Sequence, residues 1–350
     1  MRRTPPGARR MSASGSMGEA NIMRQRVMPR HCLNALALPS LLLIGLAGGA
    51  QSLQAPASKE AQGPFQISVN VDLVVLNATV RDSKGRFAPD LGERDFAVYE
   101  DGVRQSISLF RHEDIPVTVG LVVDHSSSMK PKIRDVIAAA RAFIESSRPD
   151  DEMFVVNFNE KVSLGLPDFL PLTSRYEDLT NAIANAPTRG MTALYDAIFE
   201  ARNHLRTGTR DKKVLIVISD GGDNASRHTL AEVLKMAEQS TALIYTIGIF
   251  DEDDRDRNPG VLRRLAGETG GEAFFPNEFK ETVAICERIA RDIRHQYTIG
   301  YHSAGTAQPG AYRTIRVAAG GAGSGKLFVR ARAGYIASDA SRPFKDVAGK

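Results

Sequence analysis

The sequence predicts an α/β protein: a Rossmann-like, doubly wound, mostly parallel sheet, inserted into a small β-sandwich module. Three observations predict it. VTVGLVVD (117–124) and KKVLIVISD (212–220) are largely apolar runs that each end in an aspartate, the pattern of strands buried on both faces. From about 116 to 295 strand and helix patterns alternate, as in βα units around a parallel sheet. On either side of that stretch the pattern is β alone. Each flank has about three strands, too few to bury a face by itself, so the two flanks are expected to join into one module.

Taken in order, residues 1–50 carry seven arginines against one acid, Glu19. Arg24, Arg26 and Arg30 precede the apolar run CLNALALPSLLLIGLAGGA. A basic region, a short apolar region and small residues before Gln51 read as a secretion signal cut near Ala50, with Met23 or Met28 as the expected start. Kept uncleaved, the run would be an anchor, but Pro39 breaks it and it is short for a span of ~20 residues. The whole chain has a formal charge of +4. The first 50 residues hold +6 of it, which leaves −2 for residues 51–350. The body is therefore not basic, and the electrostatic case for nucleic acid falls away.

Residues 51–63 are small and polar and read as a linker. The N-terminal β module, 64–115, follows with FQISVNVDLVVLNATVRD and then DFAVYEDGVRQSISLF, read as two strands joined at Asp101-Gly102. The α/β domain, 116–295, opens with the first apolar strand. In KIRDVIAAARAFIESSR, Ile133, Val136, Ile137, Ala140, Phe143 and Ile144 share one helical face. EMFVVNFN is a strand, YEDLTNAIANA and TALYDAIFEARNHL are helices, and KKVLIVISD is the second apolar strand. TLAEVLKMAEQS, ALIYTIGIF, VLRRLAGET and GEAFFP continue as helix, strand, helix and short strand. The last helix runs from about Glu278 to Arg294 and places Cys286 on its apolar face as a small core residue. Strands in 296–337 complete the β module, and 338–350 is a tail. Cys32 falls in the signal, so the mature chain has no second cysteine for a disulfide.

The two apolar strands end in Asp124 and Asp220. In an open parallel sheet, ligands bind beyond the carboxyl ends of the strands at the switch point. There the hydroxyls of DHSSSM, Ser126 and Ser128, would meet the SDGGDN loop, and Thr192 of RGMTAL would enter from a third. The set is two carboxylates and three hydroxyls, all oxygen. It suits Mg²⁺, with Mn²⁺ or Ca²⁺ as alternatives. The two acids balance one divalent ion and leave a position for an outside carboxylate.

These residues resemble the metal-ion-dependent adhesion site of von Willebrand factor type A domains: D-x-S-x-S after the first strand, a threonine opening a later helix, and an aspartate ending the fourth strand. The resemblance runs over about 117–295. The flanks, DFAVYEDG and HQYTIGYHS to YRTIRV, are similar to the secreted bacterial VWFA-related family. It implies metal contact by Ser126, Ser128 and Thr192, with Asp124 and Asp220 acting partly through water. Ser127 stands where glycine is frequent, and Met191 replaces a glycine before the threonine, which would narrow the approach.

Bland readings compete at each position. Ser126 and Ser128 would serve as helix caps, and Asp220 as a turn residue. Asp223 reads equally as a support of the site or a turn acid. His125 is expected to be partly exposed and, with Met191 and Asn224, to shape the rim. Gly320–Lys326, GGAGSGK, has P-loop spacing but lacks the following Ser or Thr and helix; it reads as a hairpin turn, and no nucleotide is expected. DEDDRDRN (251–258) lacks EF-hand spacing and reads as a solvated loop. The expected function is a non-enzymatic adhesion module of the cell envelope or periplasm. It binds a protein partner that supplies an acidic residue, and touches membrane only through an uncleaved signal. The alternatives are a hydrolase using the metal as Lewis acid, and a structural envelope protein with a vestigial site.

Overall fold

The computed structural model describes residues 73–250, 257–304, 308, 310–320 and 325–337, with only the backbone of Phe279. The expected signal, the linker, most of the acidic loop at 251–258 and the tail lie outside the described residues.

The elements run β1 (Leu73–Arg81), β2 (Phe96–Glu100), β3 (Val103–Gln105), β4 (Ile107–Arg111), β5 (Val117–Asp124), α1 (Ile133–Glu145), β6 (Glu152–Phe158) and β7 (Val162–Leu164). Next come α2 (Tyr176–Ala184), α3 (Leu194–His204), β8 (Lys212–Ser219), α4 (Leu230–Glu238), β9 (Leu243–Gly248), α5 (Pro259–Thr269), β10 (Ala273–Phe274) and α6 (Phe279–Arg294). The chain closes with β11 (Tyr297–His302), β12 (Tyr312–Ala319), β13 (Phe328–Arg330) and β14 (Gly334–Ile336). No helix among the described residues is long and apolar enough to cross a membrane.

The central sheet has the order β10-β9-β8-β5-β6-β7. Its pairs are parallel except β6 with β7. Every residue of β5 is buried, because α1, α2 and α6 cover one face of the sheet and α3, α4 and α5 the other. α4 starts on a capping box, with Glu232 N donating to Thr229 Oγ1 and Thr229 N to Glu232 Oε2. α5 starts on Asn258 with Pro259 inside the first turn, and ends on Gly270 at φ +83°. Cys286 is 1% exposed, and burial pushes its thiol up to about 12. It is a core residue.

The flanks interleave. One sheet has the order β13-β1-β11-β4, the other β14-β12-β2-β3. β1 pairs with β11 and β2 with β12, so each sheet takes strands from before and after the α/β domain. Leu76, Val80, Ile299 and Tyr301 from one sheet meet Phe96, Val98 and Ile315 from the other in a shared core. The Asp101-Gly102 hairpin has positive φ at both residues, +47° and +82°, as a tight hairpin turn requires.

One local expectation is corrected. VRQSISLF is not one strand: it breaks at Ser106, and β4 joins the other sheet from β3. The turn expected at Gly320–Lys326 lies mostly outside the described residues; the strands on either side of it, β12 and β13, belong to different sheets. The last stretch, from Phe328 to Ile336, also splits, into β13 and β14 of different sheets. The break is held by Arg332, 8% exposed, which donates to Gly334 O, Ser240 O and Glu238 O and so satisfies carbonyls at the end of α4. The three-residue β7 is too short to show a period in the sequence.

Candidate metal centre

β5 and β8 are neighbours at the middle of the sheet, with β6 on the far side of β5. Asp124 closes β5 and Asp220 follows β8, so the two acids emerge side by side at the carboxyl ends, where the strand order reverses. They are 0% and 1% exposed. Asp124 Oδ1 accepts from Ser126 N at 2.8 Å, and its Oδ2 accepts from Ser219 Oγ at 2.6 Å. Asp220 Oδ1 accepts from Gly222 N at 3.1 Å, and its Oδ2 accepts from Ser128 Oγ at 2.6 Å. Ser126 Oγ and Ser128 Oγ lie 3.1 Å apart. Hydroxyls and acids thus form one connected set across two strands.

The bland readings separate here. Neither serine caps α1, and Ser126 makes no side-chain cap at the short 3₁₀ turn Ser127–Met129. Asp220 serves as a turn residue with one oxygen while the other faces Ser128. Asp223 caps α3: it accepts from Tyr195 N at 3.0 Å and from Ser226 Oγ at 2.6 Å.

Thr192 sits on a loop that is bonded to the serine loop through the backbone of Arg189 and Gly190. Ser127 N donates to Gly190 O at 3.0 Å, and Arg189 N to His125 O at 2.8 Å, which ties the loop of Thr192 to the serine loop. Gly190 takes φ +80°, where a Cβ would collide with the Glu160 carboxylate. Asn224 clamps Thr192 from the other side: its Oδ1 accepts from Thr192 N at 2.8 Å, and its own N donates to Thr192 O at 2.9 Å. The Thr192 hydroxyl has no hydrogen bond among the described residues, although the residue is 5% exposed. Met191 beside it is 54% exposed.

His125 corrects the sequence reading. It is 1% exposed and not part of the rim. Its Nε2 lies 3.0 Å from Asn157 Oδ1 and its Nδ1 3.3 Å from Thr188 Oγ1. Asn157 Nδ2 donates to Ala182 O at 2.8 Å, which leaves Asn157 Oδ1 to accept. The ring therefore donates at Nε2, and its Nδ1 faces the Thr188 hydroxyl. Burial lowers its pKa, against the Asn157 bond. Ser219 and Asn157 were not singled out from sequence, and Asn224 only as part of the rim, not as the clamp of Thr192. Ser219 carried a signal, a hydroxyl directly before a strand-end acid; the other two depend on contacts far apart in the chain.

The donor set fits a hard divalent cation. Burial, and then the Asp220 charge beside it, push the Asp124 carboxyl up to about 7, a repulsion that a cation between the acids would reverse. Every converging donor is an oxygen. Among the described residues no group of three His, Cys, Asp or Glu side chains offers a different kind of centre.

Residues 118–288 match the family model of the von Willebrand factor type A domain. The chain is similar to mouse inter-alpha-trypsin inhibitor heavy chain H2, 28% identical over 218 residues, which cover 59% of this chain and 22% of that one. The human protein of that name is 25% identical over 171 residues. The chain spans about a fifth of the length of these relatives. Among solved structures, a von Willebrand factor type A protein from Catenulispora acidiphila aligns over 80% of this chain and 76% of its own, at 13% identity and TM-score 0.46. BatB from Bacteroides thetaiotaomicron aligns over 50% and 98%, at 19% identity and TM-score 0.42.

Proposed function

Because residues 118–288 are a von Willebrand factor type A domain, typically a metal-dependent adhesion or protein-interaction module, we propose that Asp124, Ser126, Ser128, Thr192 and Asp220 hold one divalent ion, Mg²⁺ first, and that through it the chain grips a carboxylate of a protein partner in the cell envelope. The observation that carries this reading is the connected set of two buried strand-end acids and two hydroxyls; Thr192, held by Asn224 on a loop bonded to the serine loop, supports it. The ion would supply an open coordination position for an outside carboxylate. The chain's own residues do the rest. Ser219 and Gly222 fix the two acids in place, Asn224 fixes Thr192, and the buried His125–Asn157 pair holds the serine loop against β6. Met191 stands exposed at the approach, where it would contact whatever surrounds the partner's acid. His125, with both ring nitrogens engaged, offers no general base, which favours binding over hydrolysis.

The basic, apolar and small-residue pattern of residues 24–50 supports export. N-terminal sequencing of exported protein should begin near Gln51; intact protein in the membrane fraction would favour an anchor instead.

The function is tested by partner capture from envelope extract. Wild type in Mg²⁺ should recover a partner that is absent with wild type in EDTA and with Asp124→Ala in Mg²⁺. Equal capture of one partner in all three would mean that the fold is used through another surface.

A further inference from the structure

A groove runs along the free edge of the central sheet, beside the chain that leads into the Thr192 loop. One wall is β7 with the loop after it, the other the exposed side of α2. They enclose about 550 Å³, within the range of ligand sites. Gly165 lies between the walls and lets them approach, since a Cβ there would stand 3.0 Å from Ala182 Cβ.

The β7 wall is a strand edge with open hydrogen-bonding groups. β7 is the last strand of its sheet, and Ser163 sits opposite Asn157. Just beyond the strand ends, Asn159 N donates to Lys161 O and Gly165 N to Val155 O. Bonded and non-bonded pairs alternate in an antiparallel ladder. Lys161, Ser163 and Gly165 therefore turn their backbone groups toward β6, and Val162 and Leu164 turn theirs outward. No other backbone partner takes up the Val162 or Leu164 groups among the described residues.

The α2 wall offers matching groups. Asp178, Asn181 and Asn185 line the groove, and their spacing puts them on one helical face. The side-chain amides of Asn181 and Asn185 are exposed and bond to no described residue. A primary amide carries a donor and an acceptor, as a peptide group does. The two amides are four residues apart, about 6 Å along the helix. An extended chain repeats its same-facing peptide group every second residue, at about 6.6 Å. Leu166 and Leu170 add apolar lining, and Phe169, 88% exposed, stands on a turn closed by Leu170 N donating to Pro167 O.

We propose that this groove binds a short extended polypeptide segment of a partner, added as a strand to the outer edge of β7, read from the other wall by Asn181 and Asn185, and contributing an apolar side chain beside Phe169. The mode is strand addition. The three residues of β7 keep the segment short, because the chain turns away at Leu166–Pro167. The proposal stands apart from the metal site, as none of its residues is a candidate ligand.

The test pans displayed random peptides of about ten residues on the full chain in EDTA, so that a carboxylate–metal contact plays no part. A selected peptide is then synthesised and titrated. The Asn181→Ala/Asn185→Ala double variant should weaken it by about tenfold or more, as should Leu164→Pro, which removes an outward N–H and no ladder bond. N-methylation of alternate peptide nitrogens should do the same. Melting curves of both variants should match the wild type; if Leu164→Pro melts early, Phe169→Ser replaces it. Binding indifferent to these changes, or no groove-dependent peptide from the library, would overturn the proposal. So would Asn181-dependent binding on an oligosaccharide array without any peptide binding, since the same amides would then be reading sugar hydroxyls.

Discussion

Replacing Lys212 by methionine should change how stability depends on pH. Lys212 is 4% exposed, at the start of β8, and its Nζ donates to Ile293 O at 2.8 Å, a carbonyl in the last turn of α6. Burial lowers its pKa from 10.5 to about 8, with Asp114 opposing the shift and Arg294 adding to it. His112 is a further neighbour, and Arg111, Glu113 and Asp211 line the same small cavity. The folded pKa of a base is depressed here, so the unfolded chain binds the proton more tightly. The penalty is present in full below pH 8 and is relieved as pH rises toward 10.5. Two and a half units correspond to about 3 kcal/mol. At pH 7 the methionine variant escapes that penalty but leaves the Ile293 carbonyl unpaired, at about 1–3 kcal/mol, so the two proteins should be within about 2 kcal/mol of each other. Between pH 8 and 10.5 the wild type should then gain about 3 kcal/mol on the variant. Urea melts of both proteins across that range measure the difference, and titration of the tyrosines cancels between them. A difference that stays flat from pH 7 to 10.5 would show that Lys212 is not held charged in a buried site.

Three further outcomes are expected. Gly221→Ala should cost about 2–5 kcal/mol, from its φ of +80° and from a Cβ placed 2.6 Å from the Asn258 carbonyl oxygen; Gly85→Ala, at φ +75° with nothing near, should cost only about 1–2 kcal/mol in the same urea melts. Asp292→Ala should destabilise by about 3–5 kcal/mol, because it strips a buried carboxylate from Arg81, 2.5 Å away across the junction of α6 and the sandwich, and amide exchange should quicken in β1 and β11 together. Asn224→Ala should leave the buried Thr192 N–H unpaired, at about 1–3 kcal/mol, and should also reduce the thermal stabilisation by Mg²⁺; an unchanged Mg²⁺ response would separate the clamp from the site.

What the sequence disclosed follows the physics of each element. β5 and β8 were legible because a strand buried on both faces leaves a continuous apolar run, and α1 because its buried face repeats at helical spacing. Asp124 and Asp220 stood out as charges ending such runs. The sandwich was legible only by elimination, as two flanks each too small to stand alone. What stayed hidden depends on distant contacts. Nothing local marks Asn224 as the clamp of Thr192, or tells that His125 is buried between Asn157 and Thr188. The crossings at Ser106 and Arg332 interrupt strand patterns by one or a few residues, and β7 is shorter than one period of any pattern.

The most direct test of the central claim is a Mn²⁺ titration followed by the EPR signal of the free ion, near neutral pH and without competing metal. The wild type should bind one equivalent, displaced by Mg²⁺, while Asp124→Ala and Ser128→Ala, each shown to be folded, should bind none in the same range. A wild type that leaves the Mn²⁺ signal unchanged, or variants that bind as it does, would contradict a metal centre built from Asp124, Ser126, Ser128, Thr192 and Asp220.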